Sequence, residues 1–302
     1  MNRPLILSAL LLMPLPACAA TPGEPVGAAP ARASFASERI GVTVRGEGPD
    51  VVLIPGLSSS PEVWTSTMEA MPGYRYHLVH VAGFAGRPGG ANASGPVVAP
   101  VAEEIARYIA EAGLERPAIV GHSLGGTLGM MVAARHPERV SRLMVVDMIP
   151  FMGAMFVPNA TPDTVRPIAE QIRTGIAGGT AEQRRAATDQ TIATMVRTET
   201  LRPMAARHSM DSDAAVSGQA MYDLITTDLR PELGRIAVPM TVLWVRAPNA
   251  PITDAQMEQY YRLFYATAPQ ARLVRVPNAY HFIMWDEPQV FQSELRTFLS
   301  AR

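Results

Sequence analysis

Residues Gly121-His122-Ser123-Leu124-Gly125-Gly126 place a serine between two glycines, each two positions away. That spacing suits a hydroxyl carried on a turn too tight for a neighbouring Cβ. The apolar run from Ala118 to Val120 precedes the serine as a buried strand, and Leu124 to Arg135 follows as a helix. Ser123 then sits at a strand's carboxyl end with Oγ reachable. The helix's first N–H groups point toward any oxyanion formed when Oγ attacks a carbonyl. Without that chemistry, the same residues make a glycine-rich turn with an idle serine. A serine hydroxyl is a poor nucleophile until a base takes its proton, and the chain has six histidines. His77 and His80 lie three apart on a strand and face opposite sides. His136 precedes Pro137 at a helix end, a usual capping position. His122 adjoins the serine but is expected to point away from the turn, and His208 lies in a region of different composition. His281 remains. It follows the last predicted strand within Pro277-Asn278-Ala279-Tyr280-His281-Phe282-Ile283-Met284-Trp285-Asp286-Glu287-Pro288, on a loop able to reach over the sheet's carboxyl edge. The alternative is a packed loop histidine.

The elements that must carry these residues follow from periodicity. Arg39 onward alternates as Ile40-Gly41-Val42-Thr43-Val44 and predicts a hairpin turning at Gly46-Glu47-Gly48 into Val51-Val52-Leu53-Ile54. That second run is apolar on both faces, as a buried parallel strand requires. A helix near 62–71, a strand over 76–81, a helix over 101–112, the strand and helix around Ser123, and a strand over 143–146 come next. Strand runs vanish between about 150 and 227. They resume at 240–245, followed by a helix over 253–266, a strand over 271–276 and a last helix over 288–299. Alternating strands and helices predict an α/β fold with a mostly parallel sheet flanked by helices. The expected organisation is a core over 37–149 and 226–302, with a helical cap inserted over 150–225.

Composition narrows the chemistry. The chain has 302 residues, 48% hydrophobic, and a net charge of -1, which suits a globular protein and offers no surface for nucleic acid. All 26 basic residues are arginine, which excludes lysine Schiff bases, Ser-Lys dyads and a phosphate-loop lysine. Residues 1–20 read as a signal peptide: Arg3, a short apolar run from Leu5 to Met13, then Ala17, Cys18, Ala19 and Ala20. Export to the periplasm or medium is expected. Leu15-Pro16-Ala17-Cys18 loosely resembles a lipobox, so a membrane association through lipidated Cys18 is the alternative. Residues 21–36 read as a flexible linker. Cys18 is the only cysteine, so the folded part has no thiol nucleophile, disulfide or thiolate metal site. No Rossmann glycine fingerprint or histidine cluster implies a cofactor or metal. Asp211-Ser212-Asp213 reads as a helix start rather than a metal site.

Leu53-Ile54-Pro55-Gly56-Leu57, the motif around Ser123, and His281 ahead of Asp286-Glu287-Pro288 together resemble the α/β-hydrolases over about residues 40–300. The resemblance implies Ser123 as nucleophile and His281 as general base. It also implies an oxyanion hole from the backbone N–H groups of Leu57 and Leu124, although Pro55 stands where relatives more often have histidine. Their acid usually follows the penultimate strand. Here that stretch, Trp244 to Asp254, has Asn249 near the expected place and Asp254 several residues late. In some relatives the acid follows the strand after the nucleophile helix, and Asp147 stands there. Asp147 is the preferred third member, with Asp254 or a dyad aided by Asn249 as alternatives. Met148, Met152, Met155, Met195, Met204, Met210 and Met221 in or beside the cap suggest either an apolar, adaptable pocket or the cap's own core. The expected reaction is cleavage of a small carboxylic ester through an acyl-serine. Thioester or lactone cleavage, acyl transfer, or a non-catalytic exported binding protein on the same scaffold are the alternatives.

Overall fold

The computed structural model describes residues 35–247 and 250–300. The expected signal peptide, Cys18, most of the expected linker and Asn249 lie outside the described residues. Phe35 and Ala36 are described. The Phe35 ring lies 5.0 Å from the Tyr108 ring, and Arg107 donates to the Ala36 carbonyl at 2.7 Å.

Seven strands form one sheet: β1 (Ile40–Arg45), β2 (Asp50–Ile54), β3 (Arg75–Val81), β4 (Ala118–His122), β5 (Arg142–Val146), β6 (Met240–Trp244) and β7 (Ala271–Arg275). Their spatial order is β1-β3-β2-β4-β5-β6-β7, and every pair is parallel except β1 with β3. This corrects the hairpin expected at Gly46-Glu47-Gly48: β1 turns there but pairs with β3, two places along the chain. A parallel neighbour on each side of β2 leaves it no free edge, so β1 can add only at the sheet's rim.

Side chains alternate between two cores, as the period of a strand demands. Val52, Ile54 and Ile119 face α2 (Val98–Glu111) and α3 (Leu124–Arg135). Val51, Leu53 and Val120 face the other side, where Trp64, Phe291, Leu295 and Phe298 close the layer. The first of these precedes α1 (Thr65–Ala70), and the rest lie on the last helix of the chain. Strand β4 is buried at every position, which explains why its sequence reads as a continuous apolar run.

Between β5 and β6 the chain forms four helices: α4 (Pro162–Gly178), α5 (Ala181–Met195), α6 (Arg202–Met210) and α7 (Ala214–Thr226). Thr161 and Thr180 start the first two with capping boxes, and Asp213 caps α7 by accepting the N–H groups of Ala215 and Val216 at 2.9 and 3.0 Å. The Asp211-Ser212-Asp213 segment is thus a helix start. Helix α4 packs on α7 and α5 packs on α6. After β6 come α8 (Asp254–Phe264), the short α9 (Ile283–Asp286), which periodicity did not reveal, and α10 (Pro288–Ser300).

The close approach of α3 to the sheet depends on missing Cβ atoms. A Cβ at Gly125 would collide with the carbonyl oxygens of Ile54 and Pro55, and one at Gly121 with the backbone of Gly125. Backbone cannot swing aside as a side-chain tip can. Gly125→Ala is therefore expected to cost several kcal/mol and abolish soluble folded protein. Gly175→Ala in α4 meets nothing within 4 Å and is expected to stabilise by about 0.5–1 kcal/mol. The yield of soluble folded Gly125→Ala protein and the thermal unfolding of Gly175→Ala check the contrast.

Candidate active site

The sheet order reverses between β2 and β4, so the loops leaving these strands diverge and open a crevice at their carboxyl ends. Ser123 occupies this place, between β4 and α3, with φ 53° and ψ −122°. Such a backbone costs about 1–3 kcal/mol for a residue with a side chain and persists only where its surroundings enforce it. Here the Ser123 N–H donates to Val146 at 2.9 Å, and Gly121 and Gly125 permit the turn. The loop after β2 passes directly beside it: a Cβ at Gly56 would lie 3.2 Å from Ser123 Cβ. Leu57 follows in that loop, and its N–H has no acceptor among the described residues. Leu124 is the first residue of α3, where an N–H has no intrahelical partner. Both proposed oxyanion donors thus come from the two diverging loops.

Asp147 follows β5, the other neighbour of β4, with φ 52°. His281 lies beyond β7. Asp147 Oδ2 accepts from His281 Nδ1 at 2.6 Å, while Oδ1 accepts the Val245 N–H and the Tyr261 hydroxyl, each at 3.2 Å. The Asp147 N–H donates to Leu243 at 2.8 Å. Burial, reinforced by the Asp147 charge, raises the Tyr261 hydroxyl well above its ordinary pKa, so it stays a donor. The carboxylate therefore has donors on both oxygens, and the His281 proton is held on Nδ1, leaving Nε2 as the free base. Ser123, Asp147 and His281 line one cavity, with no hydrogen bond from Ser123 Oγ to His281 among the described residues. Such bonds often tighten only with substrate bound.

The other carboxylate considered is elsewhere. Asp254 forms ion pairs with Arg246 at 2.6 Å and Arg275 at 2.5 Å, and the Arg246 hydrogen bond holds its carboxyl below the usual range. Thr253, rather than Asp254, caps α8. The penultimate strand supplies the site with the Val245 N–H instead of an acid.

His122 differs from expectation. Its ring lies 4.7 Å from that of His281 and 4.6 Å from that of Phe282, tilted by 50° and 51°, and Nε2 donates to the His281 carbonyl at 3.0 Å. Complete burial pushes it well below the ordinary histidine pKa, with the nearby His281 adding to the shift. It is a neutral donor that fixes the backbone of His281. Adjacency in sequence gave no signal of this role, because the contact comes from a loop 159 residues away. His77, His80, His136 and His208 bond to Asp50 and Tyr108, Phe84, Glu103 and Glu62 respectively, away from the pair.

The cavity measures about 1710 Å³. Met148, Met152, Met155, Met195, Met210 and Met221 line it, whereas Met204 packs in the core. Helix α5 adds polar groups to the lining, Gln183, Arg184, Thr188 and Thr191, beside its apolar Ala187, Ile192 and Met195. Among the described residues, no group of three or more histidine, cysteine, aspartate or glutamate side chains is placed to hold a metal ion.

A family model of the alpha/beta hydrolase fold matches residues 49–288. The chain is 31% identical over 257 residues to a pimeloyl-[acyl-carrier protein] methyl ester esterase of Edwardsiella ictaluri, covering 84% of this chain and 94% of that one. Among solved structures, an esterase from Exiguobacterium antarcticum superposes with a TM-score of 0.71 at 18% identity, over 87% of this chain and 96% of the other. The enol-lactonase of Burkholderia xenovorans LB400 gives 0.67 at 19% identity over the same shares. Fold, strand order and the long match agree: the chain belongs to the alpha/beta hydrolase family.

Proposed function

We propose that the protein hydrolyses a carboxylic ester through an acyl-serine. The observation that carries this reading is the Asp147–His281 hydrogen bond of 2.6 Å, facing the cavity that Ser123 also faces from its strained turn. His281 Nε2 takes the Oγ proton as Ser123 attacks the ester carbonyl carbon, and the Leu57 and Leu124 N–H groups hold the resulting oxyanion. The carbon–oxygen bond to the alcohol then breaks as His281 returns the proton to the leaving oxygen. Water attacks the acyl-serine, His281 takes its proton, and the acid leaves as Ser123 is restored. The similarity to a methyl ester esterase supports an ester over other acyl substrates. The methionines of the lining support an apolar portion on the substrate, and the polar side chains of α5 a polar one.

Intact-mass spectrometry after fluorophosphonate treatment, with p-nitrophenyl esters of increasing acyl length, tests the reading. A single adduct on Ser123 that is lost in His281→Ala is expected. The value of kcat/KM should rise by up to about fourfold per methylene, the equivalent of about 0.8 kcal/mol, until the cavity fills. Absence of both adduct and turnover would discard the reaction and favour a binding protein. A flat length profile with the adduct present would discard only the apolar pocket.

A further inference from the structure

The segment carrying His281 is fastened by a buried carboxyl group that the reaction does not use. Asp286, at the end of α9, is only 6% exposed. Its Oδ2 accepts the N–H groups of Tyr280 at 2.9 Å and Arg197 at 3.1 Å. Its Oδ1 accepts both the N–H and the hydroxyl of Thr198, each at 2.9 Å. Tyr280 immediately precedes His281, whereas Arg197 and Thr198 belong to the connection between α5 and α6. Two further bonds bracket the histidine. The Phe282 N–H donates to the Met195 carbonyl at 3.2 Å, and His122 holds the His281 carbonyl at 3.0 Å. Arg197 adds an ion pair with Glu287 at 3.4 Å.

Burying a carboxyl group is unfavourable unless its acceptor sites are filled. Here all four partners are donors, and they come from two segments more than 80 residues apart. Surface anchoring of a loop needs no such arrangement; one backbone bond suffices. Backbone on both sides of His281 is thus referenced to the helical insertion on one side and to β4 on the other, through Asp286, Met195 and His122. A hydrogen bond as short as that to Asp147 demands this placement, because displacement of a base by about 1 Å can cost about 100-fold in rate.

We propose that Asp286 is a positioning residue for His281, and that through it the 197–198 connection between α5 and α6 sets the orientation of the base. This rests on the acyl-serine reading and adds that the helical insertion acts on the base as well as on the substrate.

The test compares wild type with Asp286→Ala, Asp286→Asn and Thr198→Val. Rates are counted per fluorophosphonate-reactive site, so that unfolded protein does not enter. Asp286→Ala is expected to lower both kcat and the fluorophosphonate reaction rate about 10- to 100-fold with KM little changed. The far-downfield proton resonance of the His281 Nδ1–H, the signature of its bond to Asp147, should broaden or move upfield. Asp286→Asn should lose less, because the amide oxygen can still accept from Tyr280 and Arg197 while its NH2 faces the Thr198 N–H. Thr198→Val removes one donor from the cap side alone and should show the same signs at smaller size. Wild-type kcat and an unmoved resonance in Asp286→Ala, even with a lowered melting temperature, would overturn the proposal. If Asp286→Ala does not fold, unchanged kcat and resonance in both Asp286→Asn and Thr198→Val would overturn it. A wild-type protein that forms no adduct at Ser123 would instead remove the acyl-serine reading itself.

Discussion

Ser123→Ala is expected to lower kcat on an ester substrate by on the order of 10⁴- to 10⁶-fold while leaving the fold intact. The large loss follows because no other hydroxyl is carried on the turn between β4 and α3. Ser58, Ser59 and Ser217 also line the cavity, but the Ser58 and Ser217 hydroxyls are bonded to each other at 2.8 Å, and Ser59 donates to the Leu57 carbonyl at 3.2 Å. A small residual rate should survive through the Leu57 and Leu124 N–H groups and through binding, which do not depend on Oγ. Stability should hardly change. Alanine keeps the same backbone strain at φ 53°, and the hydroxyl it lacks donates no hydrogen bond within the described protein. Initial rates together with thermal unfolding check both halves. Near-full activity in a folded Ser123→Ala protein would end the acyl-serine mechanism. A melting temperature far below wild type would show that the serine supports the turn as well as the chemistry.

What a sequence can reveal depends on how far a feature reaches along the chain. The turn at Ser123 is legible because its requirements are local: a buried strand, glycines two positions to either side, and a helix start. His281 is legible by type and order, since it stands beyond a recognisable strand run, whereas only the family resemblance favours Asp147 over Asp254 and Asn249. Their partners are not. The Val245 N–H and the Tyr261 hydroxyl reach Asp147 from 98 and 114 residues away, and no periodicity encodes such a contact. The same limit explains His122, whose position follows from the His281 carbonyl rather than from its neighbour in sequence. It also explains β1, where glycine-rich turn chemistry was visible but its strand partner was fixed by which sheet edge remained free. Of the seven methionines in or beside the cap, six line the cavity and Met204 packs in the core, a division that residue type alone does not encode. Helix α5 signalled the cavity only through Met195 at its end: Ile192 alone is buried along its length, so the rest of its sequence looks like a solvated helix although it adds Gln183, Arg184, Thr188 and Thr191 to the cavity lining.

Asp147→Asn is expected to reduce kcat about 10⁴-fold near neutral pH, and the surroundings dictate how. Oδ1 receives two donors, the Val245 N–H and the Tyr261 hydroxyl, so the asparagine carbonyl oxygen must take that place. Its NH2 group is then turned toward His281 Nδ1, where Oδ2 accepts at 2.6 Å in the wild type. Facing a donor, the imidazole moves its proton to Nε2 and offers Nδ1 as acceptor. Ser123 is left opposite an N–H instead of a lone pair, and the base is lost through its tautomer with every heavy atom near its original position. Melting temperature should therefore change little, and reaction with fluorophosphonate should fall in parallel with kcat. Asp254→Asn provides the contrast. That side chain is partly exposed and paired with Arg246 and Arg275 rather than with Ser123 or His281, so its removal should leave kcat within about twofold. A large loss in Asp254→Asn with a small one in Asp147→Asn would transfer the acid to the later loop. It would also require His281 to break its present bond and rotate during the reaction, which the fixed carbonyl held by His122 and the Tyr280 bond to Asp286 oppose.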